Sequence, residues 1–598
     1  MDSPDAAACA LLYRPETDPD TVELILGTPV ESHTLETAMK SDDAALVLLP
    51  YRQITERGYA CHDDGEPIVT IEITDRIAIP LDSFIAAMPN TEVSLADGEF
   101  DISDAAYAAS VREIIDQEIG AGEGSNFVIK RSYHGCLADY SPSTALTIFQ
   151  RLLRQEHGTY WTFLVSFGGR TLVGASPESH LRVDGDLVTM NPISGTYRYP
   201  AGEPDPAGLQ AFLDDRKETD ELYMVLDEEL KMMARICDEG GTVIGPRLRQ
   251  MARLAHTEYH ISGTSKQPLP AILRETLLAP TVTGSPVENA CRVIHRREPT
   301  GRGYYSGVIA LVEPNRRLDA AIVIRTADIT ADGDLTLSVG ATLVRHSDPA
   351  TEVLETHAKV AGMLAALSGE RAAARTPVAV PAVDAAIEAQ LEGRNADLAP
   401  FWLGRRPARK PPTWRTLVID AEDTFTDMFA VQLRHLGHDV TVRTYREVSR
   451  TDGWDLVVLG PGPGDPRDGD DPKIARLRTL AAQIYASQRP LLAVCLGHQI
   501  LSHHLGLPLV RLEHTQQGRQ RTIEIFDETA TVGFYNTFVA QADTDRLGTV
   551  MVSRDPATKE VFAMHGPNFR SFQFHPESIL SADGLHLLGR HVGTLLAP

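Results

Sequence analysis

The segment Pro490–Ile500, PLLAVCLGHQI, decides the architecture. An unbroken apolar run ends in Cys495 and passes at once, through Gly497, into a helix-forming stretch. A short continuous apolar run of this kind predicts a parallel strand buried on both faces. A cysteine on the turn between such a strand and its helix is exposed at a helix N-terminus, which favours the thiolate. A buried apolar cysteine is the ordinary alternative, so the flanking segments matter. Upstream, Leu459–Pro466 (LGPGPGDP) ends the apolar run DLVVLG (Asp455–Gly460) in a glycine-rich turn whose free amides suit an oxyanion. A phosphate loop is the other reading of that turn, but the Lys-Ser/Thr ending is absent. Downstream, FQFHPES (572–578) follows another apolar strand and supplies His575 and Glu577, a base and the group that orients it. Alternation along that strand predicts that both lie on the same side. With TLVID (Thr416–Asp420), the chain from Trp414 to its end reads as α/β.

Moving outward, the stretch between Ser368 and Pro412 turns to Ala, Arg and Pro and loses its apolar alternation, which predicts a linker with one short helix near Val383–Glu392. Before it, strand-like runs such as Tyr160–Phe167 and Ala320–Ile329 mix with long helical patterns such as Lys217–Cys237, which predicts a large α+β domain. The expected segments are 1–368, a linker 369–413, and 414–598. A length of 598 residues alone favours roughly three to five domains. The balance of 56 Lys+Arg against 82 Asp+Glu, a formal charge of −26, argues against a nucleic-acid partner or an anionic membrane surface. No stretch reads as a secretory signal or membrane helix, so a cytoplasmic protein is expected. The six cysteines are scattered without a C-x-x-C pair, which argues against a disulfide framework or a cysteine zinc site.

Two acidic pairs repeat one spacing. Glu218 and Glu221 lie at i, i+3 on one predicted helix, and Glu352 and Glu355 on another. Such pairs usually mark a solvated face, but oxygen-only ligands converging from two helices suit Mg²⁺.

The segments around Cys495, His575 and the 459–466 turn, in this order and spacing, closely resemble the class I glutamine amidotransferases. The resemblance implies that Cys495 attacks the glutamine amide, with His575 as acid/base and Glu577 fixing its tautomer. It also implies an oxyanion hole at the amides of Gly462 and Leu496, a glutamine contact from Gln499, and a flavodoxin-like parallel sheet. Two stretches depart from the family pattern, Phe534-Tyr535-Asn536-Thr537 and Glu513–Gly518.

The series GASPESHLRV (174–183), NPISGTYR (191–198), KETDE (217–221), TVTGSPVENACRVI (281–294), GRGYYSGVIA (301–310), IVIRTADI (322–329) and VGATLVRHSDPATEVLETHAK (339–359) resembles chorismate-utilising enzymes of the anthranilate synthase type. That resemblance implies a β-sandwich core with helices, a Mg²⁺ held by Glu218, Glu221, Glu352 and Glu355, and Arg325 and Tyr305 gripping the enolpyruvyl carboxylate. It further implies a pocket shaped by Gly195, Thr196, Thr283, Gly284 and the Gly340-Ala341-Thr342 amides. His260 falls where the family carries an acid/base histidine; His256, one helical turn earlier, competes for the role. Asn126 stands where relatives that use water as nucleophile carry a lysine, and an amide cannot serve as general base, which agrees with ammonia.

Val287 follows Gly284-Ser285-Pro286 where tryptophan-pathway enzymes carry lysine, and the helix after Met224 reads Val225-Leu226-Asp227-Glu228-Glu229-Leu230-Lys231. Both depart from the tryptophan-pathway pattern, and the phrases KETDELYMVLDEELKMMA (217–234), LAHTEYHISG (254–263), APTVTGSPVENACRVI (279–294), EPTGRGYYSGV (298–308) and VGATLVRHSDPA (339–350), with the fused glutaminase, look like the phenazine-pathway synthases of 2-amino-2-deoxyisochorismate. The resemblance implies chorismate and L-glutamine as substrates, an ammonia channel and a homodimer. The alternative is a fused anthranilate synthase that also eliminates pyruvate.

Overall fold

The computed structural model describes residues 8–41, 43–199, 205–252, 254–368 and 385–597. By packing, the chain divides into two units: 1–113, 127–222 and 245–391 form the first, and 114–126, 223–244 and 392–598 the second. The first part of the predicted linker, 369–384, lies outside the described residues; its predicted helix is present at Ala385–Gly393.

In the first unit, eighteen strands join in one hydrogen-bonded network whose pairings are largely antiparallel. The strands Ala8–Tyr13, Trp161–Phe167 and Arg170–Ser176 show why the network holds together. Alternate residues enter different cores, as a period of two requires. Leu11, Leu164 and Val173 pack with the helices Pro142–Gln155 and Pro349–Ser368. Ala10, Leu12, Phe163, Val165 and Leu172 pack instead with side chains from other strands, among them Leu46, Ile71 and Ile309. A sheet buried on both faces leaves little water-facing alternation, and these strands read accordingly as apolar runs.

One predicted strand is broken. Ala320–Ile329 is divided between the strands Arg317–Ile322 and Thr326–Thr330, and between them Arg325 adopts a left-handed backbone with φ 51°. A non-glycine residue rarely takes that conformation without tertiary support, and such residues gather at functional sites.

The second unit contains an eight-stranded sheet in the order His438–Thr444, Trp414–Asp420, Leu456–Leu459, Leu491–Val494, Phe569–Phe572, Val561–His565, Val550–Arg554, Arg546–Leu547. The first five strands are mutually parallel and the last three antiparallel. The apolar runs again feed two cores: Leu417, Ile419, Val457, Leu491 and Ala493 on one side, Val418, Val458, Leu492 and Val494 on the other. Helices Pro472–Ala486 and Phe425–His435 cover those faces. Because Trp414–Asp420, the first of these strands in the chain, has neighbours on both sides, the chain reverses its winding there. Loops at the carboxyl ends of such strands open a crevice at that point.

A helix central to both candidate sites, α1 (Arg216–Ile236), begins in the first unit and is counted with the second from Tyr223 onward. The second carrier of the acidic pairs is α2 (Pro349–Ser368). Among the described residues no helix is long and apolar enough to cross a membrane.

Candidate active sites

In the second unit, Cys495 caps the N-terminus of α3 (Leu496–His504) directly after the strand Leu491–Val494. Its φ of 51° is the strained corner that turns a strand into a helix while presenting the side chain. His575 and Glu577 do not meet by strand alternation. The strand ends at Phe572, His575 forms only an isolated bridge to Gly533, and the chain turns at Pro576. The turn brings the pair into direct contact instead, with His575 Nδ1 2.9 Å from Glu577 Oε1. Both side chains are buried. Burial works against a charged imidazole, yet the Cys495 sulfur and the Glu577 carboxylate outweigh it and hold the His575 pKa well above its ordinary value. The protonated form of the imidazole is thus favoured by the sulfur and by the carboxyl together.

Gly462 lies against Leu496: a Cβ added there would come within 3.0 Å of Leu496 Cδ2 and 2.3 Å of the Ala421 carbonyl oxygen. Only glycine permits so close an approach of that turn to the Ala421 backbone, beside the Leu496 side chain at the start of α3. Gly462→Ala is therefore expected to push the turn away and lower the glutaminase kcat about a hundredfold, the scale of one lost oxyanion donor. Ammonia release from glutamine checks this, and an unchanged kcat would remove Gly462 from the site. Gln499 is buried and donates through Nε2 to the Phe538 carbonyl at 2.6 Å and to Gln573 Oε1 at 3.1 Å.

In the first unit, a cavity with about 700 Å³ of empty space, the solvent at its mouth included, is lined by Gly195, Thr196, Glu221, Tyr305, Arg325, Gly340, Thr342 and Glu355, with Glu178, His256 and Lys359. Of the residues expected to shape it, Thr283, Gly284 and Ala341 do not line it. Thr283 is buried with its hydroxyl donating to the Ala279 carbonyl at 2.8 Å. Ala341 falls on the opposite face of the strand Asp334–Val344 from Gly340 and Thr342, where its N–H donates to Tyr107 Oη.

His260 does not line the cavity either; His256 does. The segment is a strand, Leu254–Thr264, not a helix, so the two histidines stand about 13 Å apart along it rather than one helical turn. His260 lies 3.7 Å from Glu258 Oε1. His256 Nε2 is 3.2 Å from Arg325 Nη2 and its Nδ1 is 2.7 Å from the Gly195 carbonyl oxygen. Since guanidinium only donates and a carbonyl only accepts, Nε2 must be the acceptor and Nδ1 must carry the proton. Burial, reinforced by Arg325, lowers the His256 pKa to about 3, so the ring is neutral.

Arg325 reaches His256 and Met251 Sδ but pairs with no carboxylate among the described residues. A partly buried guanidinium without an anion, aimed into a cavity, is suited to an anionic ligand. Tyr305 adds its hydroxyl at the Gly340 wall, where an added Cβ would lie 2.9 Å from the Tyr305 oxygen. Gly195, at φ 75°, turns the opposite wall. Glu178 is pushed up to about 7 by burial, with Arg325 opposing, and its Oε1 accepts no hydrogen bond.

The four glutamates expected to hold a metal are placed differently. Glu221 and Glu355 line the cavity, whereas Glu218 and Glu352 do not. Glu218 accepts from the Thr196 N–H at 3.1 Å, Glu221 from the Ser194 hydroxyl at 3.0 Å, and Glu355 pairs with Lys359 at 2.8 Å. Among the described residues no three His, Cys, Asp or Glu side chains are gathered to hold a metal ion. The donor set at the cavity, carboxylates on α1 and α2, still fits a hard, oxygen-seeking cation in its chemistry. Lys359 and Glu178 had no role in the sequence reading. Lys359 had a signal, since it follows Glu355 at i+4; Glu178 had only its place in a matched segment.

The model of chorismate binding enzymes matches residues 74–365, and that of class I glutamine amidotransferases matches 417–593. The chain belongs to the anthranilate synthase-type family in which these two modules are fused. It is 48% identical over 97% of its length to "Anthranilate synthase, phenazine specific" of Pseudomonas chlororaphis, covering 93% of that protein, and equally to its namesake from Pseudomonas fluorescens. It is 32% identical to the anthranilate synthase of Azospirillum brasilense, over 75% of this chain and 60% of that one. The menaquinone-specific isochorismate synthase of Escherichia coli shares the fold of the first unit, with a TM-score of 0.50, 19% identity, and coverage of 61% of this chain and 90% of that one.

Proposed function

We propose that this chain aminates chorismate at C2 with glutamine-derived ammonia, yielding 2-amino-2-deoxyisochorismate for phenazine or related secondary metabolism. The observation that carries the reading is the 48% identity to phenazine-specific relatives across both modules at once. Glutamine is hydrolysed through Cys495, with His575 and Glu577 as acid/base and orienting pair, the Gly462 and Leu496 amides as oxyanion hole, and Gln499 at the glutamine. Ammonia is the nucleophile at the first unit's cavity.

There Arg325 and Tyr305 bind a chorismate carboxylate, and Gly195, Thr196, Gly340 and Thr342 form the walls. Neutral His256, with Nε2 facing Arg325, orients that guanidinium and replaces His260 as the histidine of the site. Glu178 is protonated at neutral pH to a useful extent and gives its proton to the departing C4 hydroxyl. Glu221 and Glu355, with Glu218 and Glu352 behind them, would hold Mg²⁺, which supplies charge neutralisation for the ring carboxylate. Segment boundaries at 368 and 414, a β-sandwich core, a flavodoxin-like glutaminase sheet, an ammonia channel, a homodimer and a cytoplasmic location complete the reading.

Incubating the protein with chorismate, glutamine and Mg²⁺ tests it. The expected product retains the enolpyruvyl ether, with no stoichiometric pyruvate. Prompt equimolar pyruvate with fluorescent anthranilate would establish instead the activity that the relatives' printed names carry.

A further inference from the structure

Asp227 is a buried carboxylate that neither proposed site uses. It lies on α1, is 1% exposed, and gathers three donors. Tyr535 Oη donates at 2.6 Å, the Ile579 N–H at 2.9 Å, and the Ser578 hydroxyl also donates to it. A carboxylate removed from water is destabilising unless its lone pairs are met, and here they are met from one small region of the chain. Every donor adjoins the His575–Glu577 pair. Ser578 and Ile579 directly follow Glu577, and the Tyr535 ring stands edge-on to the His575 imidazole with centroids 5.4 Å apart.

One turn further along α1, Lys231 approaches the other aromatic neighbour of His575. It is buried, ion-paired with Glu228, and its ammonium lies 4.2 Å from the Phe425 ring centroid. Phe425 in turn packs on His575 with centroids 4.4 Å apart. Both aromatic rings that flank the imidazole are thus held by α1. An anchor serving only to keep the segment folded would have no reason to place its contacts on both neighbours of one histidine.

We propose that Asp227 is a positioning residue of the glutaminase: it holds the Ser578–Ile579 backbone, and with it Glu577, while fixing the Tyr535 ring against His575. The proposal rests on the glutaminase reading above. It makes the acid/base pair depend on a residue from the helix whose first turns carry Glu218 and Glu221. Asp227 touches no reacting atom; it sets the approach of His575, and misplacement of a catalytic group by about 1 Å can cost on the order of a hundredfold in rate.

The test compares full-length Asp227→Ala, Asp227→Asn and Tyr535→Phe. With Asp227→Ala, the kcat for ammonia release from glutamine is expected to fall about thirtyfold while the glutamine KM moves by less than about threefold. Asp227→Asn, which keeps an oxygen for Ile579, should restore at least about a third of the lost activity on a logarithmic scale. Tyr535→Phe should cost about fivefold in kcat. Chorismate turnover with added ammonium chloride, measured on the same preparations, should stay within about twofold of wild type. A glutaminase kcat unchanged in Asp227→Ala, or a parallel loss of ammonia-dependent turnover, overturns the proposal. If Asp227→Ala is insoluble, Asp227→Asn and Tyr535→Phe decide, and full activity in both overturns it equally. Failure of the glutaminase reading itself is distinguishable, because glutamine turnover would then persist in Cys495→Ala.

Discussion

Cys495→Ala is expected to abolish glutamine-dependent turnover of chorismate while leaving turnover with ammonium chloride intact. The thiol sits on the φ 51° corner at the start of α3, beside an imidazole whose pKa is raised by that sulfur and by Glu577. Alanine keeps the small volume and the backbone, and removes only the nucleophile. No neighbouring group can form the thioester in its place. Removal of the nucleophile from such a constellation typically costs about 10⁶ in kcat, close to 8 kcal/mol of transition-state stabilisation. Parallel assays with glutamine and with ammonium chloride read the two activities separately. Loss of both would place Cys495 in the shared fold, and loss of neither would make the second unit a passenger.

Glu178→Gln should give the reverse pattern, with chorismate turnover falling about 10²–10⁴-fold for either nitrogen source and basal glutamine hydrolysis retained. Glu178 is buried at the cavity wall, and its pKa near 7 arises from desolvation that Arg325 only partly offsets. The amide preserves shape and hydrogen bonding but can deliver no proton. Chorismate binding, followed by substrate quenching of protein fluorescence, should weaken by less than about tenfold. Turnover of Glu178→Gln within threefold of wild type would assign the proton transfer to another group.

The legible parts of this molecule are those where local periodicity and local chemistry agree. Leu456–Leu459 and Leu491–Val494 are apolar without interruption because both faces of their sheet are buried, and a run of that length next to a helix pattern has few other solutions. The helix over Arg216–Ile236 was visible for the same reason. Which histidine lines the cavity is not legible in that way. His256 and His260 share a strand face by parity, and only the pairing of that strand separates them. Ile193–Arg198 runs beside it as far as Glu258, whereas Leu187–Met190 pairs with it from Ile261 onward. Ile193–Thr196, from the first pairing, line the cavity beside His256.

By its own order of residues the chain determined two modules, one built on an α/β sheet with a cysteine at a strand–helix corner, the other on a large strand network with acidic helices. Those features follow from hydrophobic period and turn chemistry, which act over a few neighbours. Tertiary structure alone decided that Ala320–Ile329 breaks at Arg325 and turns its guanidinium to a cavity, and that His575 meets Glu577 across a turn. It alone decided too that Asp227 joins residues more than three hundred positions away. Side-chain partners so distant leave no period in the sequence: a buried carboxylate must be satisfied by whatever donors packing brings to it.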